Sequence, residues 1–467
     1  MVFSSTVFLF AFLPAVLALY YLCPAAWRNG LLLAASLFFY GWGEPKYIIV
    51  MIGSIGFNYL CGLWIEKQNI HRRHRQSRSM LALCVTGNLL LLGWFKYAGF
   101  AAENLNHFLG LGLPVMQAAL PIGISFYTFQ AMSYVIDVYR RKTAAQKSLI
   151  RFAVYITLFP QLIAGPIVRY VTIEEQLANR RVTMDEAAKG IRRFTVGLGK
   201  KVLLANQAGM LWEEISAMDL SQLPAATAWL GAVAFTFQIY FDFSGYSDMA
   251  IGLGRMLGFQ FDENFNYPYM ARSVTDFWRR WHISLSTWFK EYVYIPLGGN
   301  RRGSVRQIVN ILIVWALTGL WHGASWNFLW WGLYFALLLI LEKTFLLRLL
   351  DRLPAGLQHV YALLFIVLGW VIFAVEDGGM FLGYIKAMTG AGGFCDLRTL
   401  YFLRTWGILL LVMAAGSTDV LSKGAEALEK HPAAGVALRN LFYLAVLILS
   451  TAFLVSDTYN PFLYFRF

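Results

Sequence analysis

Apolar runs of about 15–22 residues, close to the length a bilayer-crossing helix requires, recur along the whole chain between short polar stretches. The best delimited cover residues 5–22, 29–43, 46–65, 79–100, 116–138, 225–245, 306–320, 324–342, 358–374, 399–416 and 436–454; weaker ones lie at 149–169 and 196–212. Only helices and closed barrels satisfy their backbone in lipid, and runs this long and continuous are helical. The pattern predicts an all-α, polytopic membrane protein of about twelve spans, organised as one domain over residues 1–467. One segment breaks the pattern. "SLIRFAVYITLFPQLIAGPIVRY" carries Pro160, Gly165 and Pro166 inside an apolar run, so it predicts a broken, re-entrant segment shielded by protein or a watery cavity.

The polar stretches set an orientation. The loop from Glu66 to Arg78, "EKQNIHRRHRQSR", and the loop from Arg140 to Lys147, "RRKTAAQK", are strongly basic. Basic loops stay on the cytoplasmic side. A further crossing at 196–212 leads to the acidic loop with Glu213, Glu214 and Asp219, and the chain returns at 225–245. Residues 246–305 then begin and end in the cytoplasm, and both termini lie outside.

Composition agrees. Charged residues make up 14% and hydrophobic ones 58%, against about 25% charged in soluble domains. The net charge is 39 − 26 = +13, in short clusters between apolar runs, which reads as a cytoplasmic membrane surface and not as nucleic-acid binding. The first 24 residues have no basic n-region and no small-x-small cleavage site, so they read as a retained span and not as a signal peptide. Cys23, Cys61, Cys84 and Cys395 are scattered without metal-binding spacing, which predicts neither a disulfide framework nor a metal site.

Three stretches place ionisable groups where lipid would exclude them, and such groups usually face an interior or a pore. In "YFDFSGYSDMAIGLG" (Tyr240 to Gly254), Asp242 reads as the end of a span, with a turn at Gly245. In "DFWRRWHISLSTWFKEYVYIPLGGNRR", a continuous helix would align Trp278, His282 and Ser286 on one face, with Arg279 beside them. An interfacial helix explains the arginines and tryptophans but not His282, so the residues alone leave an anchor and a binding site both open. In "LTGLWHGASWNFLWWG" (Leu317 to Gly332), the run 306–320 spans about 22 Å of a hydrocarbon core about 30 Å thick. His322 is therefore expected at membrane depth, where Gly319 and Gly323 permit close backbone approach. A lone intramembrane histidine is often only an interhelical hydrogen bond; the flanking glycines tilt this one toward catalysis. His71, His74, His107, His359 and His431 read as structural or solvated.

"WRRWHISLSTW" followed some forty residues later by "GLWHGASW" resembles the membrane-bound O-acyltransferase family. The likeness is strongest to a bacterial branch that O-acetylates alginate; peptidoglycan and cellulose O-acetylation proteins look similar, and the teichoic-acid D-alanylation branch less so. It extends to "MVFSSTVFLF", "LPIGISFYTFQAMSYVIDVYR", "LIAGPIVR" and "NPFLYFRF". The resemblance implies helices around a central tunnel, with His322 as catalytic histidine and His282 as a second characteristic position. It also implies acetyl-CoA as donor substrate, no permanently bound cofactor, a polysaccharide acceptor, a secreted or periplasmic SGNH-like acetyltransferase partner, and residence in the bacterial cytoplasmic (inner) membrane. Arg279, Arg280, Arg301 and Arg302, with Lys290, would hold the donor's phosphates, and Trp278 and Ser286 would line its path. Without the resemblance, a transporter or flippase for acyl or saccharide carriers and a partner-recruiting scaffold remain as alternatives.

Overall fold

The computed structural model describes residues 1–115, 119–163, 165–428, 432–456 and 462–463. Every regular element among them is a helix. The chain divides into two compact units, Met1–Phe194 with Ser247–Asp262, and Thr195–Tyr246 with Glu263–Phe467.

The first unit contains α1 (Leu13–Leu22), α2 (Arg28–Gly43), α3 (Ile48–Ile70), α4 (His74–Leu109), α5 (Ile124–Tyr139), α6 (Leu149–Thr157) and α7 (Tyr170–Asn179). Helices α3 and α4 pair through a polar clasp. Asn88 Nδ2 donates to Asn58 Oδ1 at 2.8 Å, and Asn58 Nδ2 donates to Asn88 Oδ1 at 3.1 Å. Buried amides that satisfy each other in this way fix the pairing of two otherwise apolar helices. As the prolines predict, the helix breaks after Thr157, and among the described residues no helix forms again before Tyr170.

Helix α8 (Met184–Gly199) runs from the first unit into the second and continues through a π-turn into α9 (Asn206–Ser216). The second unit then holds most of α10 (Ala225–Met256), followed by α11 (Val274–Arg280), α12 (Ile283–Phe289), α13 (Ser304–His322), α14 (Trp326–Leu341), α15 (Leu347–Leu350), α16 (Ala355–Ala374), α17 (Gly378–Met388), α18 (Leu397–Gly416), α19 (Val420–Leu428) and α20 (Pro432–Ser456). Among the described residues, six helices are long and apolar enough to cross a membrane: Ile48–Ile70, His74–Leu109, Ser304–His322, Ala355–Ala374, Leu397–Gly416 and Gly435–Ser456. Phe8–Leu22 is a shorter apolar helix.

Two local expectations fail. Helix α10 runs unbroken through Asp242, Gly245 and Asp248, so no helix ends at Asp242 and Gly245 makes no turn. Asp242 stays inside the helix because Lys201 Nζ lies 2.6 Å from its Oδ1, with both side chains buried. A Cβ at Gly245 would sit 2.8 Å from the carbonyl oxygen of Gly197, so glycine serves close helix packing there. The stretch from Trp278 to Ser286 is likewise not one helix, for the reason given next.

Candidate active site

His282 falls at a break. Helix α11 ends at Arg280, and His282 takes a left-handed conformation (φ 45°, ψ 54°) as it caps α12. A β-carbon in that region costs about 1–2 kcal/mol, and such strain persists only where surroundings enforce it. Here the segment Asn264–Asn266 enforces it. Asn266 N–H donates to Arg280 O (2.9 Å) and Ile283 N–H to Asn264 O (3.0 Å), which brackets the kink. The Asn264 side chain completes the clamp. Its Oδ1 accepts from Ser284 N–H (3.1 Å) and Ser284 Oγ (2.9 Å), and lies 3.2 Å from His282 Nδ1. The alignment of Trp278, His282 and Ser286 on one continuous helix is therefore not formed, although Ser286 Oγ still reaches Trp278 O at 3.4 Å.

An oxygen that already accepts from a backbone amide is an acceptor, so His282 Nδ1 carries the hydrogen toward it. Burial pulls the His282 pKa down to about 3, so the ring is neutral at physiological pH and Nε2 is its basic nitrogen. The ring is 1% exposed and stands perpendicular to Phe243, with centroids 4.6 Å apart.

His322 is the last residue of α13, where the chain turns extended at Gly323. Helices α13 and α14 lie close enough that a Cβ on Gly319 would collide with the carbonyl oxygen of Phe328, and one on Gly332 with that of Trp315. This contact seats Trp331 against His322, with ring centroids 5.0 Å apart at 83°. Phe373 of α16 covers another side at 5.5 Å. His322 is 6% exposed.

Trp321 joins the two histidines, its ring centroid lying 5.9 Å from His282 and 5.1 Å from His322. The structure thus brings together side chains forty residues apart in one aromatic cluster with Trp281, Trp331 and Trp370. Trp278 belongs to the wall of that cluster, 4.6 Å from Trp315 and 5.6 Å from Trp331.

The basic residues are more dispersed. Arg280 is half-buried, and its Nε is 2.9 Å from Asp276 Oδ1. Arg279, Lys290, Arg301 and Arg302 are exposed. The loop carrying Arg301 and Arg302 is tied to α13 by Asn310, whose Nδ2 donates to Gly299 O at 2.9 Å. Helix α13 has 19 residues, so that loop and His322 stand about 28 Å apart along its axis. Of the other histidines, His71 and His359 contact backbone carbonyls, and His431 lies outside the described residues. The described residues hold no group of three or more His, Cys, Asp or Glu side chains suited to a metal ion.

Asn264 and Trp331 escaped the sequence reading. Asn264 lies in a loop with no periodicity, and Trp331 is one of many tryptophans; only the fold singles them out.

The sequence model of the membrane-bound O-acyltransferase family matches residues 75–378. A probable alginate O-acetylase of Azotobacter vinelandii is 46% identical over 381 residues, 81% of this chain and 76% of that protein. A peptidoglycan O-acetyltransferase of Helicobacter pylori is 34% identical over 428 residues, 84% of this chain and 80% of that protein. A teichoic acid D-alanyltransferase of Streptococcus thermophilus is 29% identical over 262 residues, covering 51% of this chain and 61% of that protein. The match embraces both His282 and His322, and the chain belongs to the membrane-bound O-acyltransferase family and is an O-acyltransferase.

Proposed function

We propose that the chain transfers acetyl groups from cytoplasmic acetyl-CoA, through a tunnel in one membrane domain, for O-acetylation of an extracytoplasmic polysaccharide. A secreted or periplasmic SGNH-like acetyltransferase partner completes delivery. The names of the two acetyl-transferring relatives support the acetyl group and a polysaccharide acceptor. Twelve crossings of the bacterial inner membrane, with both termini outside, follow from the basic loops.

The observation that carries the reading is the pair of buried histidines on either side of Trp321. His322 acts as general base. It takes the proton of the acceptor hydroxyl as that oxygen forms its bond to the thioester carbonyl carbon, because a neutral imidazole is too weak a base to deprotonate an alcohol beforehand. The carbon–sulfur bond then breaks, and the thiolate of coenzyme A leaves and regains a proton. Neutral His282, its Nδ1–H held by Asn264, offers only an acceptor at Nε2, and so orients the donor beside the thioester without donating to the acyl carbonyl. Arg279, Arg280, Arg301 and Arg302 hold the donor's phosphates, and Trp278 and Ser286 line its path.

His322→Ala tests this in purified protein with labelled acetyl-CoA and in cells by polymer acetylation. A folded, inserted variant is expected to lose at least about a hundredfold in turnover, the lower range for a positioned base. Polymer acetylation at the wild-type rate by a normally expressed variant would remove His322 from the chemistry.

A further inference from the structure

Helix α11, which delivers the chain to His282, is held at its start by a carboxylate from a distant part of the sequence. Glu342 follows α14, sixty-eight residues after Val274, and is 1% exposed. Its Oε1 accepts from Val274 N–H and its Oε2 from Thr275 N–H, each at 2.7 Å. Tyr361 of α16 donates to Oε1 at 3.2 Å. Val274 and Thr275 are the first two residues of α11, whose amides have no partner inside the helix. Ser273 caps the same turn, its Oγ accepting from Asp276 N–H at 3.0 Å.

A buried carboxylate is tolerated only when strong donors compensate it. Two charge-assisted backbone hydrogen bonds at the positive end of a helix do so. The same bonds fix where α11 begins, and seven residues later the helix ends at the His282 kink. Asn264 brackets the kink from its far side, so α11 is gripped at both ends. The grip at the N-terminal end comes from the end of α14, the helix that also carries Trp331 onto His322.

We infer that Glu342 is a positioning residue of the acyl transfer: by holding the first two amides of α11 it sets the placement of His282 relative to His322. This rests on the proposed acyl transfer for its kinetic consequence, but the structural linkage can be measured without it.

Glu342→Gln is nearly isosteric. The new carbonyl oxygen accepts from one amide, while the new NH₂ faces the other amide donor to donor. Val274→Pro removes the N–H of residue 274 at the first helical position, where proline is favoured. Ser273 is already extended (φ −153°, ψ 164°), as the residue before proline requires. In the double variant the side-chain NH₂ at position 342 turns toward residue 274, where no N–H opposes it and the Tyr361 hydroxyl can rotate to accept from it, and the side-chain carbonyl accepts from Thr275. The double variant is therefore expected to recover activity relative to Glu342→Gln alone, a reversal that loss of packing does not produce.

The experiment measures kcat and acetyl-CoA KM for wild type, both single variants and the double variant, with His322→Ala as blank. Hydrogen exchange is followed over residues 271–285. Glu342→Gln is expected to lower kcat about tenfold or more, to leave KM within about twofold, and to speed exchange in α11 selectively; one tenfold step corresponds to about 1.4 kcal/mol. The double variant is expected to regain part of kcat and of protection. Unchanged exchange in α11, or a double variant no better than Glu342→Gln, overturns the inference. A wild type that transfers no acetyl group while Glu342→Gln still loosens α11 refutes the acetyl-transfer reading and the kinetic role built on it, and leaves only the structural linkage.

Discussion

His282 Nδ1 lies 3.2 Å from the side-chain oxygen of Asn264, and that oxygen also accepts both the backbone N–H and the hydroxyl of Ser284. One amide thereby holds the tautomer of a buried imidazole and the left-handed backbone beneath it. Asn264→Ala removes that acceptor and strands buried donors, each costing about 1–3 kcal/mol. Turnover is expected to fall about ten- to hundredfold, since 1.4 kcal/mol is a factor of ten. Asn264→Asp keeps the acceptor and is expected to retain more activity than Asn264→Ala. Assays normalised to folded protein check this; equal turnover in Asn264→Ala and wild type removes the positioning role.

Burial of His282 carries a sign in pH. Its folded pKa, about 3, lies below the unfolded value near 6.5. Between these values the unfolded chain binds the extra proton, so stability falls as pH drops from 6.5 toward 3. Between pH 7.5 and 5.5 this group alone contributes a loss of about 1.4 kcal/mol. His282→Gln, which cannot titrate, is expected to show a shallower decline of melting temperature over that interval. Parallel curves for the two proteins would show that His282 is not buried as a neutral ring.

Helix positions in the chain were readable because apolar runs and glycine- or proline-marked breaks are local signals. The run 306–320 grew only to Ser304–His322, and the segment carrying Pro160, Gly165 and Pro166 is broken, its helix ending at Thr157. The burial of His322 at the end of its helix was legible because the run before it is short and glycines stand on both sides. The kink at His282 was not, because nothing in "FWRRWHISLSTW" forbids a helix. The break is imposed by Asn264, outside that stretch, and by a left-handed backbone that local propensity disfavours. Asp242 misled for a related reason: a charge in an apolar run reads as a helix end unless its partner, Lys201, is known.

The close approach of α13 and α14 is a second support for the site. A methyl group on Gly332 would meet the carbonyl oxygen of Trp315, which is backbone and cannot swing away. Overpacking of this kind costs about 1–3 kcal/mol and would shift α14, which carries Trp331. Gly332→Ala is expected to lower both melting temperature and turnover. Gly407→Ala is the control, because a Cβ there meets nothing within 4 Å and alanine favours a helix by about 1 kcal/mol. Equal stability of the two variants would exclude the tight contact.

Donor binding is expected to be salt-dependent. Arg279, Arg301 and Arg302 are exposed, and charges at a surface are screened over about 8–10 Å at physiological ionic strength. Replacing all three by glutamine is expected to raise acetyl-CoA KM about two- to fivefold per charge removed, as exposed ion contacts contribute up to about 1 kcal/mol. Turnover at saturating donor should be retained, and the gap from wild type should narrow at high salt. Arg280→Gln also breaks the pair with Asp276 and so tests a different quantity, the stability of α11. A donor KM that ignores both the substitutions and salt would remove these arginines from the donor site.

The last expectation concerns the C-terminal stretch "NPFLYFRF". A turn at Asn460-Pro461 and the aromatics Tyr459, Tyr464, Phe465 and Phe467 lie outside the described residues, but Phe462 and Leu463 are placed and buried. Leu463 N–H donates to Asp242 Oδ2 at 2.7 Å. The Phe462 ring lies 4.7 Å from Lys201 Nζ and stands edge-on to Tyr246 at 4.8 Å. Phe462 and Leu463 therefore close over the buried Lys201–Asp242 pair. A buried ion pair stays favourable only while its remaining hydrogen-bonding capacity is met, and here a backbone amide meets part of it. Leu463→Pro keeps an apolar side chain but deletes that amide, at an expected cost of about 1–3 kcal/mol. Deleting residues 462–467 also removes two buried apolar side chains, adding about 1.5–3 kcal/mol for each. Melting temperature in detergent should fall for the first variant and further for the second. Asp242→Asn with Lys201→Met removes the charges, so Leu463→Pro should cost less in that background. If truncation leaves melting temperature unchanged but abolishes acetylation in cells, the stretch docks a partner and does not seal the pair; if neither changes, both roles are excluded.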